Sequence, residues 1–254
     1  MKQHLTSGQI ADLIAIREIC DELGADLVVI GATSLLLSMG DLGRYTHDVD
    51  LTVALDLDEF PRLIQRLAEA GWKQAPKLEH RWAAPHQTIV DLLPAGPKLC
   101  RVGSLLWPVS EFTMSLSGFS HVFANAIEME LTPGARIRVS PPLVTVLLKI
   151  IAYIEDPYRR AKDLQDIQLV LANYLDESDR IFSDEVFDAN LPDFSMVNAF
   201  LLGRDLRELA SSEDARHIRA FLAKFEEQHI DEEDYKGREF RDRLLGFRRG
   251  FAGA

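Results

Sequence analysis

Apolar residues at Ile10, Leu13, Ile16, Cys20 and Leu23 recur at steps of three and four, which predicts an amphipathic helix ending near Gly24. Leu27-Val-Val-Ile30 carries no polar position and reads as a buried strand. Gly31 breaks it, Ala32 to Met39 reads as a short helix, and Gly40 closes that helix. Tyr45 to Ala54 is the next strand. A helix from about Asp58 follows, with Phe60, Leu63, Ile64 and Leu67 as its apolar stripe and Gly71 as its C-cap. Strand signals near Arg81 to Ala84 and Gln87 to Leu92 flank Pro85 and His86, which suits a hairpin. After a less regular stretch to about Gly118, Ile127 to Leu131 and Ala135 to Val139 flank Thr132, Pro133 and Gly134 as a second turn-bounded pair.

The pattern then changes period. Ser140-Pro141 opens a helix whose apolar stripe is Leu143, Val146, Leu147, Ile150, Ile151 and Ile154. Beyond Pro157 a further helix carries Leu164, Ile167 and Leu171, and more helices follow around Phe200 to Leu209 and His217 to Glu227. The expected fold is α+β: a small mixed β-sheet with flanking helices over residues 1–140, then a helical domain over 141–254 packed against it.

Composition narrows the classes. A chain of 254 residues with 47% hydrophobic content can bury a sizeable core. Its net charge of −12 argues against broad electrostatic binding to nucleic-acid backbones, so any such partner is engaged locally. Cys20 and Cys100 cannot build a disulfide framework and have no zinc-ligand spacing, and the seven histidines form no metal-ligand cluster. His47 reads as a packed strand residue. The first residues lack an apolar signal core, and Lys149 interrupts the longest apolar stretch, so a soluble, cytoplasmic protein is expected. The segment Lys236 to Arg249 reverses the acidic balance with Arg238, Arg241, Arg243, Arg248 and Arg249, either as a solvated helix face or as a contact for RNA phosphates or an acidic partner.

Candidate chemistry sits in the first half. Side chains alternate faces along a strand, so Thr46, Asp48 and Asp50 share one face while His47, Val49 and Leu51 share the other. Two convergent carboxylates repel unless a cation joins them, and oxygen-only ligation suits Mg²⁺ or Mn²⁺. A solvated strand end would read the same way. Asp91, between Val90 and Leu92, is a third carboxylate where an uncompensated charge would be costly; it reads as a metal ligand, a proton acceptor, or an acceptor of backbone N–H groups. The turn Gly31, Ala32, Thr33 and Ser34 joins strand to helix, and its N–H groups and two hydroxyls could face an anion; glycine for backbone geometry alone is the plainer reading. In the helical half Lys149 lies off the apolar stripe, free to point into a cleft or simply out to solvent, and Arg159, Asp163 and Asp166 form a polar stripe. Asp163 reads as positioning a basic partner. Lys162 and Asp166 also fit a surface i, i+4 pair.

A glycine turn opening a helix, then Asp-x-Asp on a strand, then a lone Asp on a later strand resembles the polymerase-β-type nucleotidyltransferase superfamily. Within it, Arg44-x-Thr-x-Asp-Val-Asp-Leu51 is similar to the Arg-x-Thr/Ser-x-Asp-Ile-Asp stretch of the AbiEii-type toxin branch. Ser140-Pro-Pro-Leu143 to Lys149, Arg159-Arg-Ala-Lys-Asp163 and Asp166 resemble that branch's helical Lys and Arg/Lys-Asp motifs. The likeness covers about residues 25–172. It departs at Gly31-Ala32, where the family usually has Gly-Gly or Gly-Ser.

The resemblance implies a nucleotidyltransferase fold in which Asp48, Asp50 and Asp91 are catalytic and hold Mg²⁺ or Mn²⁺. It implies that a nucleoside triphosphate such as ATP is bound by Gly31, Ala32, Thr33, Ser34, Arg44, Lys149 and Lys162, with Asp163 and Asp166 as orienting groups. The implied reaction moves a nucleotide monophosphate to a hydroxyl on tRNA, protein or a small molecule and releases pyrophosphate. The branch also implies a toxin role with an antitoxin partner. The alternative is a catalytically inactive nucleotide-sensing or partner-binding module of the same fold, for which Ala32 is the sequence hint.

Overall fold

The computed structural model describes residues 5–40, 46, 48–175, 178–227 and 235–253. Two compact units, Met1–Thr145 and Val146–Ala254, share the chain. The first unit runs α1 (Ser7–Glu22), β1 (Leu27–Ile30), α2 (Gly31–Met39), β2 (Asp48–Val53), α3 (Phe60–Glu69), β3 (Lys73–Ala75), β4 (Leu78–Ala83), β5 (Ile89–Pro94), α4 (Pro97–Val102), β6 (Ser104–Leu106), β7 (Thr113–Ser115), α5 (Ser120–Asn125), β8 (Ile127–Thr132) and β9 (Ala135–Val139). Helix α6 (Pro142–Glu155) carries the chain onward to α7 (Asp163–Asn173), α8 (Asp184–Asp188), α9 (Val197–Leu209), α10 (Ser212–Glu227) and α11 (Tyr235–Ala252). The expected class, a mixed sheet with flanking helices before a helical half, is the class observed.

Seven strands form one sheet in the order β3-β4-β5-β2-β1-β9-β8, and β6 and β7 pair separately. β2 runs parallel to β5 and antiparallel to β1, while β1 runs parallel to β9. The central strands are apolar on one face: Val49, Leu51, Val53 and Leu92 are fully buried. Each such side chain contributes about 1.5–3 kcal/mol by leaving water. Val28 and Val29 of β1 are also fully buried, which accounts for its lack of a polar position.

Two local devices align the polar face of the sheet. The β4–β5 loop is Pro85, His86 and Gln87, closed by bonds from Ala84 N to Thr88 O and from Gln87 N to Ala84 O, both 2.9 Å. Gln87 takes φ of 68°, the left-handed residue that ends a three-residue hairpin loop. Helix α1 then clamps this loop through Asp12, which is 1% exposed. Its carboxylate accepts from Thr88 Oγ1 at 2.6 Å, Thr88 N at 3.4 Å and His86 N at 3.2 Å, and lies 2.9 Å from His86 Nδ1. The start of α1 is fixed by a capping box between Thr6 and Gln9.

The sequence pattern differs from the structure in a few places. β3 was not expected, because its three residues are exposed or half-buried and show no apolar alternation. The stretch before Gly118 contains α4 and the β6–β7 ribbon, each too short to show a period. Strand β2 is described only from Asp48, and Tyr45, Arg44 and His47 lie outside the described residues. Both cysteines are free, and burial pushes the Cys20 thiol up to about 12, which keeps it protonated and inert. Among the described residues no helix is long and apolar enough to cross a membrane.

In the second unit α9 and α11 touch backbone to backbone at glycines. A Cβ on Gly250 would lie 2.0 Å from Phe200 O, and one on Gly203 would lie 2.3 Å from Phe247 O. The arginines of α11 are partly engaged within the unit, Arg243 with Glu239, Arg248 with Glu226 and Arg249 with Asn190 O. That favours the helix-face reading of this segment.

Two substitutions test these anchors. Asp12→Ala strands the loop donors and is expected to cost about 2–3 kcal/mol in urea unfolding, with Asp12→Asn costing less. Gly250→Ala forces α9 and α11 apart and is expected to cost about 1–3 kcal/mol in the same assay. A loss below roughly 0.5 kcal/mol in either Ala variant would contradict the anchor assigned to it.

Candidate carboxylate site on the sheet

The strand register gathers the acidic residues. Asp50 of β2 stands opposite Asp91 of β5, and Asp91 stands opposite Arg81 of β4. Paired residues in neighbouring strands point to the same face, so Asp50, Asp91 and Arg81 form one row across three strands. Asp48 lies two residues along β2 on that same face. The pattern that buries Val49, Leu51, Val90 and Leu92 on one side therefore turns the carboxylates to the other.

Arg81 joins these charges. Its Nε donates to Asp91 Oδ1 at 2.7 Å and its Nη2 to Asp91 Oδ2 at 2.7 Å, a bidentate grip. The same Nη2 reaches Asp48 Oδ2 at 3.1 Å. The hydrogen bonds to Asp91 hold the Arg81 guanidinium well above its ordinary pKa, and the charges of Asp91, Asp48 and Asp50 add to this. Side-chain exposure is 37% for Arg81, 40% for Asp48 and 15% for Asp91, so the cluster is open to solvent. Thr46 steadies Asp48 by donating to its carbonyl at 2.9 Å and to Oδ1 at 3.2 Å.

Asp50 lies against the opening of α2. A Cβ on Gly31 would lie 2.1 Å from Asp50 Oδ2, and Gly31 has φ of +68°. Glycine is thus required twice, by the left-handed backbone and by the carboxylate beside it. Ile30 at the N-cap makes no side-chain cap bond, and the Asp50 carboxylate of β2 lies beside the first turn of α2, where the helix dipole favours negative charge.

The two hydroxyls of this turn face inward. They were expected to add donors toward an anion, but Thr33 and Ser34 are fully buried. Thr33 Oγ1 bonds Asp48 O at 3.3 Å, while Ser34 Oγ bonds Gly31 O at 2.7 Å and Thr145 Oγ1 at 2.8 Å. They secure α2 to its surroundings. Both hydroxyls are thus committed within the protein.

Lys149 differs from expectation in the same way. It does lie off the apolar stripe, yet it is buried, with Nζ 2.7 Å from both Asp163 Oδ1 and Asp166 Oδ2. Asp166 is 1% exposed on its side chain, so its ion pair with Lys149 is buried. Arg160 adds a weaker contact to Asp163 at 3.9 Å. Lys149 is therefore a neutralised structural cation, with Asp163 and Asp166 as its partners. Lys162 is exposed at the start of α7, and the i, i+4 alternative gives way to the Asp166–Lys149 pair. Arg44 lies outside the described residues.

A second acidic group has its own explanation. Asp56, Asp58 and Glu59 offer carboxylate oxygens all within 4.8 Å of one another, the one such trio among the described residues. Asp56 accepts from Lys98 N and Leu99 N, each at 3.0 Å, and so caps α4. Asp58 pairs with Lys98 Nζ at 2.9 Å. Asp48, Asp50 and Asp91 form a separate group on the sheet face. Their donor set fits a hard divalent cation: three carboxylates, solvent access, and a demand for positive charge that Arg81 now meets. Sequence reasoning missed Arg81.

No protein-family model matches the chain, and no curated protein matches it. Among solved structures it is similar to an antigenic nucleotidyltransferase-like protein from Paracoccidioides brasiliensis, with 18% identity over 66% of this chain and 77% of that one and a TM-score of 0.45. The antibiotic-resistance factor ANT(2'')-Ia is similar at 16% identity over 68% of this chain and 88% of that one, with a TM-score of 0.44. The CCA-adding enzyme of Thermotoga maritima complexed with tRNA aligns at 14% identity over 97% of this chain and 70% of that one, with a TM-score of 0.28.

Proposed function

We propose that this protein is a metal-dependent nucleotidyltransferase that moves a nucleotide monophosphate from a nucleoside triphosphate to a hydroxyl acceptor. The observation that supports it most is the row of Asp50 and Asp91 on adjacent parallel strands, with Asp48 two residues away and the N-terminus of α2 against Asp50. Asp48, Asp50 and Asp91 would hold Mg²⁺ or Mn²⁺, which supplies charge stabilisation on the phosphate oxygens when bound. The N–H groups at Gly31 and Ala32 provide donors for phosphate at a helix N-terminus.

In the transfer, the acceptor oxygen bonds to the α-phosphorus and the bond from that phosphorus to the bridging oxygen breaks. The electron pair leaves with pyrophosphate, and the hydroxyl proton passes to Asp91, whose carboxylate is the less exposed of the two that Arg81 grips. The acceptor classes are a tRNA end, a protein hydroxyl or a small molecule. With a net charge of −12, a polyanionic acceptor would need a local basic contact, whereas the other two would not.

Incubation with each α-labelled nucleoside triphosphate, Mg²⁺ and a cell extract is expected to label one class of acceptor. Asp48→Asn and Asp50→Asn are each expected to reduce labelling by about 10²–10⁴-fold while the circular dichroism stays unchanged. Labelling that persists at the wild-type rate in both variants would rule out the carboxylate row as the site. Gly31→Ala displaces Asp50 and is expected to reduce labelling as well, with a stability loss of about 1–3 kcal/mol measured by thermal unfolding.

A further inference from the structure

We infer that Arg81 is a built-in counter-ion that competes with the divalent cation for Asp91 and Asp48, so that metal affinity is set by release of this guanidinium. The inference rests on the proposed function, because it concerns the same carboxylates. Three observations lead to it. Arg81 engages both oxygens of Asp91 and one of Asp48, at 2.7 Å, 2.7 Å and 3.1 Å. Strand register places Arg81 directly opposite Asp91, so the fold itself delivers the guanidinium to the carboxylates. Arg81 also keeps 37% of its side chain in solvent, so a route out of the cluster is already open.

The physical logic is one of charge balance. Three carboxylates on adjacent positions of one sheet face repel, and a metal-free fold needs a cation among them. Arg81 meets that need from the neighbouring strand, where register places it opposite Asp91. A divalent cation brings more charge and takes carboxylate oxygens directly, but it must first break the bidentate grip. Arg81 thus stabilises the metal-free protein and weakens its apparent affinity for metal. It is a positioning residue, since it acts through Asp91 and Asp48.

Binding of Mn²⁺ alone to the full chain, followed by calorimetry, tests the inference. Arg81→Gln is expected to bind Mn²⁺ about tenfold more tightly than wild type, the equivalent of about 1.4 kcal/mol. Its metal-free melting temperature should fall, and the rise on adding Mn²⁺ should exceed that of wild type. Arg81→Lys, which keeps the charge but loses the fork, should lie between the two and serves if the Gln variant does not fold. Asp48→Asn in either background should abolish the site, which separates it from Asp56, Asp58 and Glu59. Equal Mn²⁺ affinity in wild type and both Arg81 variants, with Asp48→Asn still abolishing binding, would overturn the inference and leave the proposed function standing. No Mn²⁺ binding at millimolar concentration by wild type or either Arg81 variant would overturn both.

Discussion

The structure of the first unit turns on one electrostatic constraint: three carboxylates share a sheet face and need positive charge among them. β2 and β5 are parallel and in register, so Asp50 and Asp91 cannot avoid each other without disturbing Val49, Leu51, Val90 and Leu92 on the reverse face. A shift of one residue would send the apolar set to solvent. The core therefore enforces the repulsion, and Arg81 relieves it from β4. Gly31 is drawn into the same constraint, because Asp50 lies where any larger residue would place its Cβ.

Support for this arrangement comes from outside the sheet. Asp12 on α1 holds the loop that sets the β4–β5 register, and that register places Arg81 opposite Asp91. Thr46 and Thr33 both bond the carbonyl of Asp48. The polar residues around the site are mostly committed to backbone groups, which leaves the carboxylates and Arg81 as its adjustable members.

Much of this was legible in the sequence where the signal is local. Leu27–Ile30, the short helix after Gly31, and the pairing across Thr132, Pro133 and Gly134 follow from apolar runs and turn residues. The role of Arg81 was not legible, and the reason is a single residue of register. A two-residue loop at Pro85 and His86 would set Arg81 opposite Val90, on the apolar face. Gln87 joins the loop with φ of 68°, the pairing moves by one, and Arg81 meets Asp91 instead. A left-handed glutamine carries little sequence signal, since Gly and Asn are the usual residues there. Lys149 shows the complementary case. Its helix face was readable, but its two carboxylate partners come from another helix, and no period within α6 reports them.

Three of the acidic groups among the described residues differ in what balances them and in how far solvent reaches that charge. Asp56 is held by backbone N–H groups and Asp58 by Lys98, so the first group belongs to the start of α4. Asp163 and Asp166 are held by a buried lysine, where solvent ions have little access. Asp48, Asp50 and Asp91 are balanced by a half-exposed guanidinium at the edge of an open cluster. There the balancing charge is within reach of solvent. Convergent carboxylates become a binding site when their counter-ion can leave.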